Sequence, residues 1–247
     1  MKTLKNIAGA LFTIWAGLIF LVTMLIFFIP MWAVKFWKEP ARTSMFIDIT
    51  RIWMAIFLPL AGIRLTIRGK EYFRKGENYI VVCNHNSMMD VPISCPGIPG
   101  PNKTIAKIEL SRMPLFGMIY KRGSVLVDRQ SELSRKESIS EMKKVLDMGM
   151  HMCIYPEGTR NKTDKPLKEF HDGAFRLAVQ TGKPILPAVI FNTGIVLPHN
   201  KSFYFWPHPL EMHFLPPVYV QKEDDPRLLK EKIFRIMWDY IEKEKTV

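Results

Sequence analysis

Tyr79-Ile80-Val81-Val82-Cys83-Asn84-His85-Asn86-Ser87-Met88-Met89-Asp90 is the stretch on which the reading of this chain turns. Its first five residues form a short apolar run, as expected of a strand buried on both faces. The seven that follow are mostly polar. They stand where a strand leaves the interior and a turn or helix begins, a place where a rigid scaffold can present side chains to a substrate.

His85 and Asp90 lie five positions apart, so one straight helix would turn them to different faces. They meet only if His85 is still on the strand exit while Asp90 lies in the first helical turn. Ser87 and Asp90 have the spacing of a capping box, with the acid three residues after the serine. The plain reading is a loop histidine and a helix-capping carboxylate. The functional reading is a His–Asp dyad, in which the carboxylate orients the imidazole and favours its cationic form, as a general base requires. The segment alone does not choose between them.

Composition narrows the setting. The chain has 247 residues, 48% of them hydrophobic, enough for one domain with a sizeable core and an accessory segment. Thirty-five Lys and Arg against 23 Asp and Glu leave a net charge of +12, which favours an anionic partner. Cys83, Cys95 and Cys153 show no CxxC spacing and read as free, buried thiols of a reducing compartment. No HxxxH or HExxH pattern occurs among the histidines, so no metal site is expected.

From Ile7 to Val34 no position carries a charge. A helix of that length is on the order of 40 Å long, enough to cross a bilayer. The run is too long for a signal-peptide core and lacks an A-x-A site, so cleavage is not expected. A basic, aromatic connector with Pro40 follows, then a second apolar stretch interrupted by Asp48 and Arg51, which can pair on one helix face. Basic clusters bracket both stretches: Lys2 and Lys5; Lys35, Lys38 and Arg42; Arg64, Arg68 and Lys70. A two-span hairpin would put the middle cluster outside, against the positive-inside rule. Two helices lying in one leaflet keep all three clusters at one interface and place Trp32, Trp37 and Trp53 in the headgroup zone. Residues 1–63 are thus expected to form a membrane-associated helical module, and 64–247 an α/β domain.

In that domain, strands are expected at 64–68, 78–83, 104–107, 123–127, 152–155, 185–192, 210–215 and 218–220. Helices are expected from Met88, around Pro114 and Gly117, over 131–148, from an Asp172 cap to Gly182, and from Pro226 onward. The alternation predicts an α/β fold with a mixed, largely parallel central sheet flanked by helices, and ligands beyond the carboxyl ends of its strands. Three polar clusters follow strands directly: His85 to Asp90, Asp128-Arg129, and Tyr155-Pro156-Glu157-Gly158-Thr159-Arg160. Parallel strands would bring them to one edge. Arg129 and Arg160 offer bidentate forks for a phosphate, and Gly158 would free its N–H for an anion. Read singly, Glu157 and Arg160 make a loop ion pair and Arg129 a solvated strand end. Together they describe a phosphate-binding catalytic cleft.

His85-x4-Asp90, Gly123-x5-Arg129 and Glu157-Gly158-Thr159-Arg160, followed by Leu186-Pro187-Ala188, resemble the four blocks of the glycerolipid acyltransferases. The match is closest to the bacterial 1-acyl-glycerol-3-phosphate acyltransferases and runs from about Arg64 to Asn192. Lys107 and Pro114-Leu115-Phe116-Gly117 match the lead-in to the second block. The fourth block departs slightly, with Leu and Ala flanking the proline where β-branched residues are commoner.

The resemblance implies transfer of an acyl group from acyl-CoA or acyl carrier protein to the 2-hydroxyl of lysophosphatidic acid, with no cofactor. His85 and Asp90 would be catalytic. Lys107, Arg129, Glu157, Gly158, Thr159 and Arg160 would bind substrate. The expected surroundings are a phospholipid bilayer, with no nucleic acid, at the cytoplasmic (inner) membrane with the catalytic domain facing the cytoplasm. Alternative readings are an acyltransferase for another lysophospholipid or glycerol 3-phosphate, a hydrolase or ping-pong acyltransferase using Ser87 or Cys83, a non-catalytic lipid-binding membrane protein and, more weakly, a nucleic-acid binder. No G-x-S-x-G elbow supports the ping-pong form.

Overall fold

The computed structural model describes residues 2–128, 130–201 and 203–245. Two long helices, α1 (Lys2–Ala33) and α2 (Ala41–Leu60), lead the chain. They run antiparallel. The Trp15 indole donates to the Leu60 carbonyl at 3.0 Å, and the Trp53 indole donates to Thr23 Oγ1 at 2.9 Å. Phe20 packs on both Trp53 and Phe57. Trp53 is therefore enclosed between the two helices, 3% exposed against 42% for Trp32 and 46% for Trp37, so its indole is not offered to the surroundings as theirs are. A buried indole N–H needs an acceptor, and Thr23 on the facing helix supplies it.

The connector between the helices is tied to the sheet. Burial opposes ionisation of Glu39, but hydrogen bonds from Thr43, Lys103 and Arg42 outweigh it and hold the carboxyl at about 2. Lys103 reaches it at 2.9 Å. Midway along α2, Arg51 pairs with Asp48 as their spacing predicts. It also donates to the carbonyls of Pro96 (3.0 Å), Ile98 (2.7 Å) and Gly100 (2.9 Å) at the far end of α3 (Asp90–Gly97). The Pro96 carbonyl closes the last turn of α3 and the other two lie just beyond it, so a cation there supplies donors where the helix ladder ends and complements the dipole. Arg51→Ala is expected to lower the stability of the detergent-solubilised protein by about 2–3 kcal/mol in denaturant unfolding.

A seven-stranded sheet follows: β1 (Leu65–Arg68), β2 (Ile80–Cys83), β3 (Asn102–Lys107), β4 (Ser124–Val127), β5 (His151–Ile154), β6 (Ile185–Phe191) and β7 (Leu210–Phe214). Their spatial order is β1-β7-β6-β2-β5-β3-β4. Pairing is parallel throughout except between β6 and β7. The α/β class with a mixed, largely parallel sheet is thus present. The carboxyl ends of β2 to β6 share one edge. The expected strand at 218–220 reduces to one bridge between Val218 and Ile185, since Pro216 and Pro217 supply no N–H to extend a ladder.

Helices cover both faces. Val81 and Cys83 point into a core shared with α1, α2 and α3. Ile80 and Val82 point into a second core closed by α5 (Glu132–Asp147), α6 (Gly173–Thr181) and α8 (Pro226–Lys245). Two short helices, α4 (Phe116–Arg122) and α7 (Thr193–Val196), complete the set. Cys83, Cys95 and Cys153 are free and buried. Asp172 occupies the cap position of α6, but its carboxylate makes no cap bond. It turns instead to Lys230 of α8 at 2.7 Å, where a full opposite charge outcompetes a backbone N–H.

Candidate active site

Strand β2 ends at Cys83 and α3 begins at Asp90, so His85 lies on the strand exit and Asp90 in the first helical turn. That is the one arrangement in which the two can meet. His85 Nδ1 lies 2.7 Å from Asp90 Oδ2. The same oxygen accepts the N–H groups of Asn86 at 2.7 Å and Ser87 at 2.8 Å. Asp90 is completely buried, and Oδ1 has no hydrogen-bond partner among the described residues. Three donors thus converge on one carboxylate oxygen and fix its direction.

The capping-box spacing is half realised. The Asp90 carboxylate reaches back to the Ser87 N–H as the motif requires. The Ser87 hydroxyl instead accepts from Met89 N–H at 3.2 Å and donates to the Leu197 carbonyl at 2.9 Å. That proton is committed away from the imidazole, and Ser87 is fully buried. The Cys83 thiol is pushed well up by its contact with Cys153 and by burial. Neither residue fits a nucleophile activated by His85.

Beneath the dyad the structure adds partners that no motif announced. The Tyr155 ring lies against the His85 ring, centroid to centroid 4.5 Å. Its hydroxyl meets Ser94 of α3 at 2.6 Å, and burial pushes the phenol well up, so the ring stays neutral. The His85 carbonyl accepts from Asn161 N–H at 2.6 Å. Adjacent buried rings and a residue just past the third cluster are the available signals, and neither is periodic.

Glu157 does not join Arg160 in a loop ion pair. It is fully buried. Oε1 accepts the His85 N–H at 2.7 Å, and Oε2 accepts the Lys168 N–H at 3.0 Å. Burial raises its carboxyl to about 7, against the lowering effect of those two N–H groups. Both oxygens are thus taken by backbone. Gly158 adopts φ +69°, and a Cβ there would lie 2.7 Å from the His171 ring. The glycine is required, but its N–H donates to the Tyr155 carbonyl at 3.0 Å. The expected free anion donor is therefore satisfied within the loop, because the left-handed turn folds it back onto β5.

Thr159 is exposed, and its hydroxyl accepts from Lys168 Nζ at 2.9 Å. The side chains of Lys107, exposed at the end of β3, and Arg160, half-buried after β5, make no hydrogen bond or ion pair with other described residues. Strands β3 and β5 are neighbours, and β5 adjoins β2. The two cations therefore follow strands within about 10 Å of the one that carries His85. Arg129 lies outside the described residues. The Leu186-Pro187-Ala188 block pairs with Val81 to Cys83 inside the sheet, where it backs β2. Two hollows, one of about 320 Å³ beside Arg68 and Tyr240 and one of about 420 Å³ beside Glu39 and Ser134, hold none of these residues.

An imidazole oriented by a buried carboxylate thus shares an edge with two cationic side chains that find no partner among the described residues. A family model described as Acyltransferase matches residues 64–191. A 1-acyl-sn-glycerol-3-phosphate acyltransferase of Cocos nucifera is 34% identical over 67% of this chain and 52% of its own length. One from Borreliella burgdorferi is 32% identical over 65% of this chain and 66% of its own. The alpha form from Ovis aries is 30% identical over 84% of this chain and 73% of its own. The chain thus spans about half the length of the coconut relative and about two thirds of the Borreliella one. The crystal structure of the 1-acyl-sn-glycerophosphate acyltransferase from Thermotoga maritima shares the fold, with a TM-score of 0.81 at 21% identity over 100% of this chain and 99% of that one. By the family match over half its length and by these relatives, the chain belongs to the acyltransferase family.

Proposed function

We propose that this protein is a membrane-bound 1-acyl-sn-glycerol-3-phosphate O-acyltransferase, which moves a fatty acyl group from acyl-CoA or acyl carrier protein to the 2-hydroxyl of lysophosphatidic acid. The observation that carries the reading is the 2.7 Å contact between His85 and the buried Asp90 on the edge that also bears Lys107 and Arg160. The relatives' names supply the substrate class.

In this reading Asp90 holds the neutral imidazole with its proton on Nδ1, leaving the Nε2 lone pair for the acceptor hydroxyl. A secondary alcohol holds its proton tightly, so transfer to Nε2 accompanies attack of the oxygen on the thioester carbonyl. General-base assistance of this kind is worth ~10²–10⁴-fold. Collapse of the tetrahedral intermediate breaks the C–S bond, and the proton held by His85 passes to the departing thiolate or to solvent. Arg160 and Lys107 hold the acceptor phosphate. Thr159 borders that anion site, while Glu157 and Gly158 shape the loop behind it.

Helices α1 and α2 lie in one leaflet of the cytoplasmic membrane with the catalytic edge facing the cytoplasm. Support comes from Arg51, which fastens the middle of α2 to the end of α3. A spanning α2 would drag that end of the α/β domain into hydrocarbon, where its loop carbonyls have no water.

The decisive assay combines purified protein, lysophosphatidic acid and a panel of acyl thioesters, read by thiol release and by lipid product. Glycerol 3-phosphate and lysophosphatidylcholine serve as competing acceptors. Preferential use of either competitor would replace the acceptor assignment. Arg160→Ala is expected to raise the KM for lysophosphatidic acid by about 10–100-fold, the worth of a charge-assisted phosphate contact, with thioester saturation unchanged. A change confined to thioester saturation would move Arg160 to the donor site.

A further inference from the structure

The connection between β3 and α4 turns sharply through a non-glycine residue with positive φ. After β3 it makes a 3-10 turn over Ile108–Arg112. It then reverses through Pro114, Leu115 and Phe116, with the Phe116 N–H donating to the Pro114 carbonyl at 2.6 Å. Leu115 at the centre has φ 58° and ψ −62°, a strained left-handed turn that L residues rarely adopt. The strain is held by close packing behind it. A Cβ on Gly117 would lie 2.4 Å from the Ser111 carbonyl oxygen, and the Gly117 N–H donates to the Met113 carbonyl at 2.8 Å. Phe116 and Met118 anchor the base of the turn in the core shared with α1 and α2.

The tip so constructed points apolar side chains outward. Leu110 is 40%, Met113 49% and Leu115 45% exposed. Three exposed apolar side chains gathered on one turn make a patch of the kind that marks an interaction surface. Exposed cations flank it: Lys107, Arg112 and Lys121, against the single acid Glu109 in that stretch. The base of the turn packs against α1, whose Leu18, Leu25 and Ile29 are themselves exposed. Apolar tip, basic collar and continuity with an apolar helix suit one occupant, an anionic lipid bilayer.

We infer that Met113 and Leu115 form a second membrane contact, separate from α1 and α2, which enters the headgroup–acyl boundary and presses the His85 edge against the lipid. With two contacts the domain cannot pivot away on its helices, and an acceptor can meet His85 while its acyl chain remains in the bilayer. This rests on the membrane reading proposed above, and its test does not depend on catalysis.

The full chain carrying Met113→Cys, where the backbone is unstrained, is labelled with an environment-sensitive fluorophore; the three native cysteines are buried. Leu115→Cys is the second site. Met148→Cys, exposed beyond α5 at the opposite edge of the sheet, is the reference. Each is reconstituted into vesicles of phosphatidylethanolamine and phosphatidylglycerol. Emission at 113 and 115 is expected to shift to the blue and to be quenched severalfold more than at 148 by lipids bearing a nitroxide high on the acyl chain. Quenching at 113 and 115 no greater than at 148 overturns the inference. Transfer activity measured on the same vesicles separates the two readings: quenching without transfer refutes the acyltransferase assignment alone, and transfer without quenching refutes the wedge alone.

Discussion

His85→Ala is expected to abolish acyl transfer while the protein keeps its fold and its association with vesicles. The expected loss is at least ~10²–10⁴-fold, the range for a general base, because no other described side chain is placed to take over. Ser87 gives its proton to Leu197, and Cys83 is buried with its thiol pushed up. Asp90→Asn refines the result. The amide oxygen can still accept from Asn86 and Ser87, so the helix start survives, while the charge facing Nδ1 is lost. A fall of ~10²-fold or more in turnover at unchanged acceptor KM is expected. Circular dichroism and vesicle flotation check the fold; robust turnover by His85→Ala would remove His85 as the base.

The second large effect is expected at Glu157, which touches no reacting atom. Its two oxygens hold the N–H groups of His85 and Lys168. Glu157→Ala takes the acceptor from both part-buried N–H groups, at up to about 1–3 kcal/mol each, and frees the backbone that aims His85. A displacement of about 1 Å at a reacting group costs ~10²-fold, so transfer is expected to collapse with His85 and Asp90 both present. Glu157→Gln keeps one acceptor and is milder on both counts.

The pH dependence carries a further signature. The folded carboxyl titrates at about 7, above its ordinary 4.5, because burial penalises the charge. Between those values the folded state binds more protons than the unfolded one, so stability falls as pH rises. The contribution is full below about 4.5 and is lost as pH passes through about 7. Glu157→Gln should flatten the stability profile in that window; a mutant whose profile keeps the wild-type slope would assign it to another group.

Much of this was readable along the chain because the signals are local. Four buried residues of β2 run into a polar turn. Ser131 caps α5, its hydroxyl accepting from Ser134 N–H at 3.2 Å, and Gly149 ends it with a positive φ. Pro226 opens α8. Each depends on neighbours within a turn or two, and periodicity and capping register such forces well. What escaped was governed by partners distant in sequence. Trp53 found Thr23, Asp172 found Lys230, and Glu157 found the backbone of His85, 72 positions earlier. A glycine reads as an open N–H until the turn it permits closes that N–H onto Tyr155.

The dyad divides the same way. Spacing by itself determined that His85 and Asp90 could meet only across a strand-to-helix junction, and strand alternation determined that three polar clusters would share one edge. Both are consequences of backbone geometry, which sequence period encodes directly. Only the tertiary structure decided which polar groups on that edge remain available. Glu157, Ser87 and the Gly158 N–H are spent on the scaffold, while Lys107 and Arg160 keep their charges unpaired among the described residues. Buried hydrogen-bonding groups must find partners wherever the fold brings them, and that requirement is settled by contacts in space, which no local pattern records.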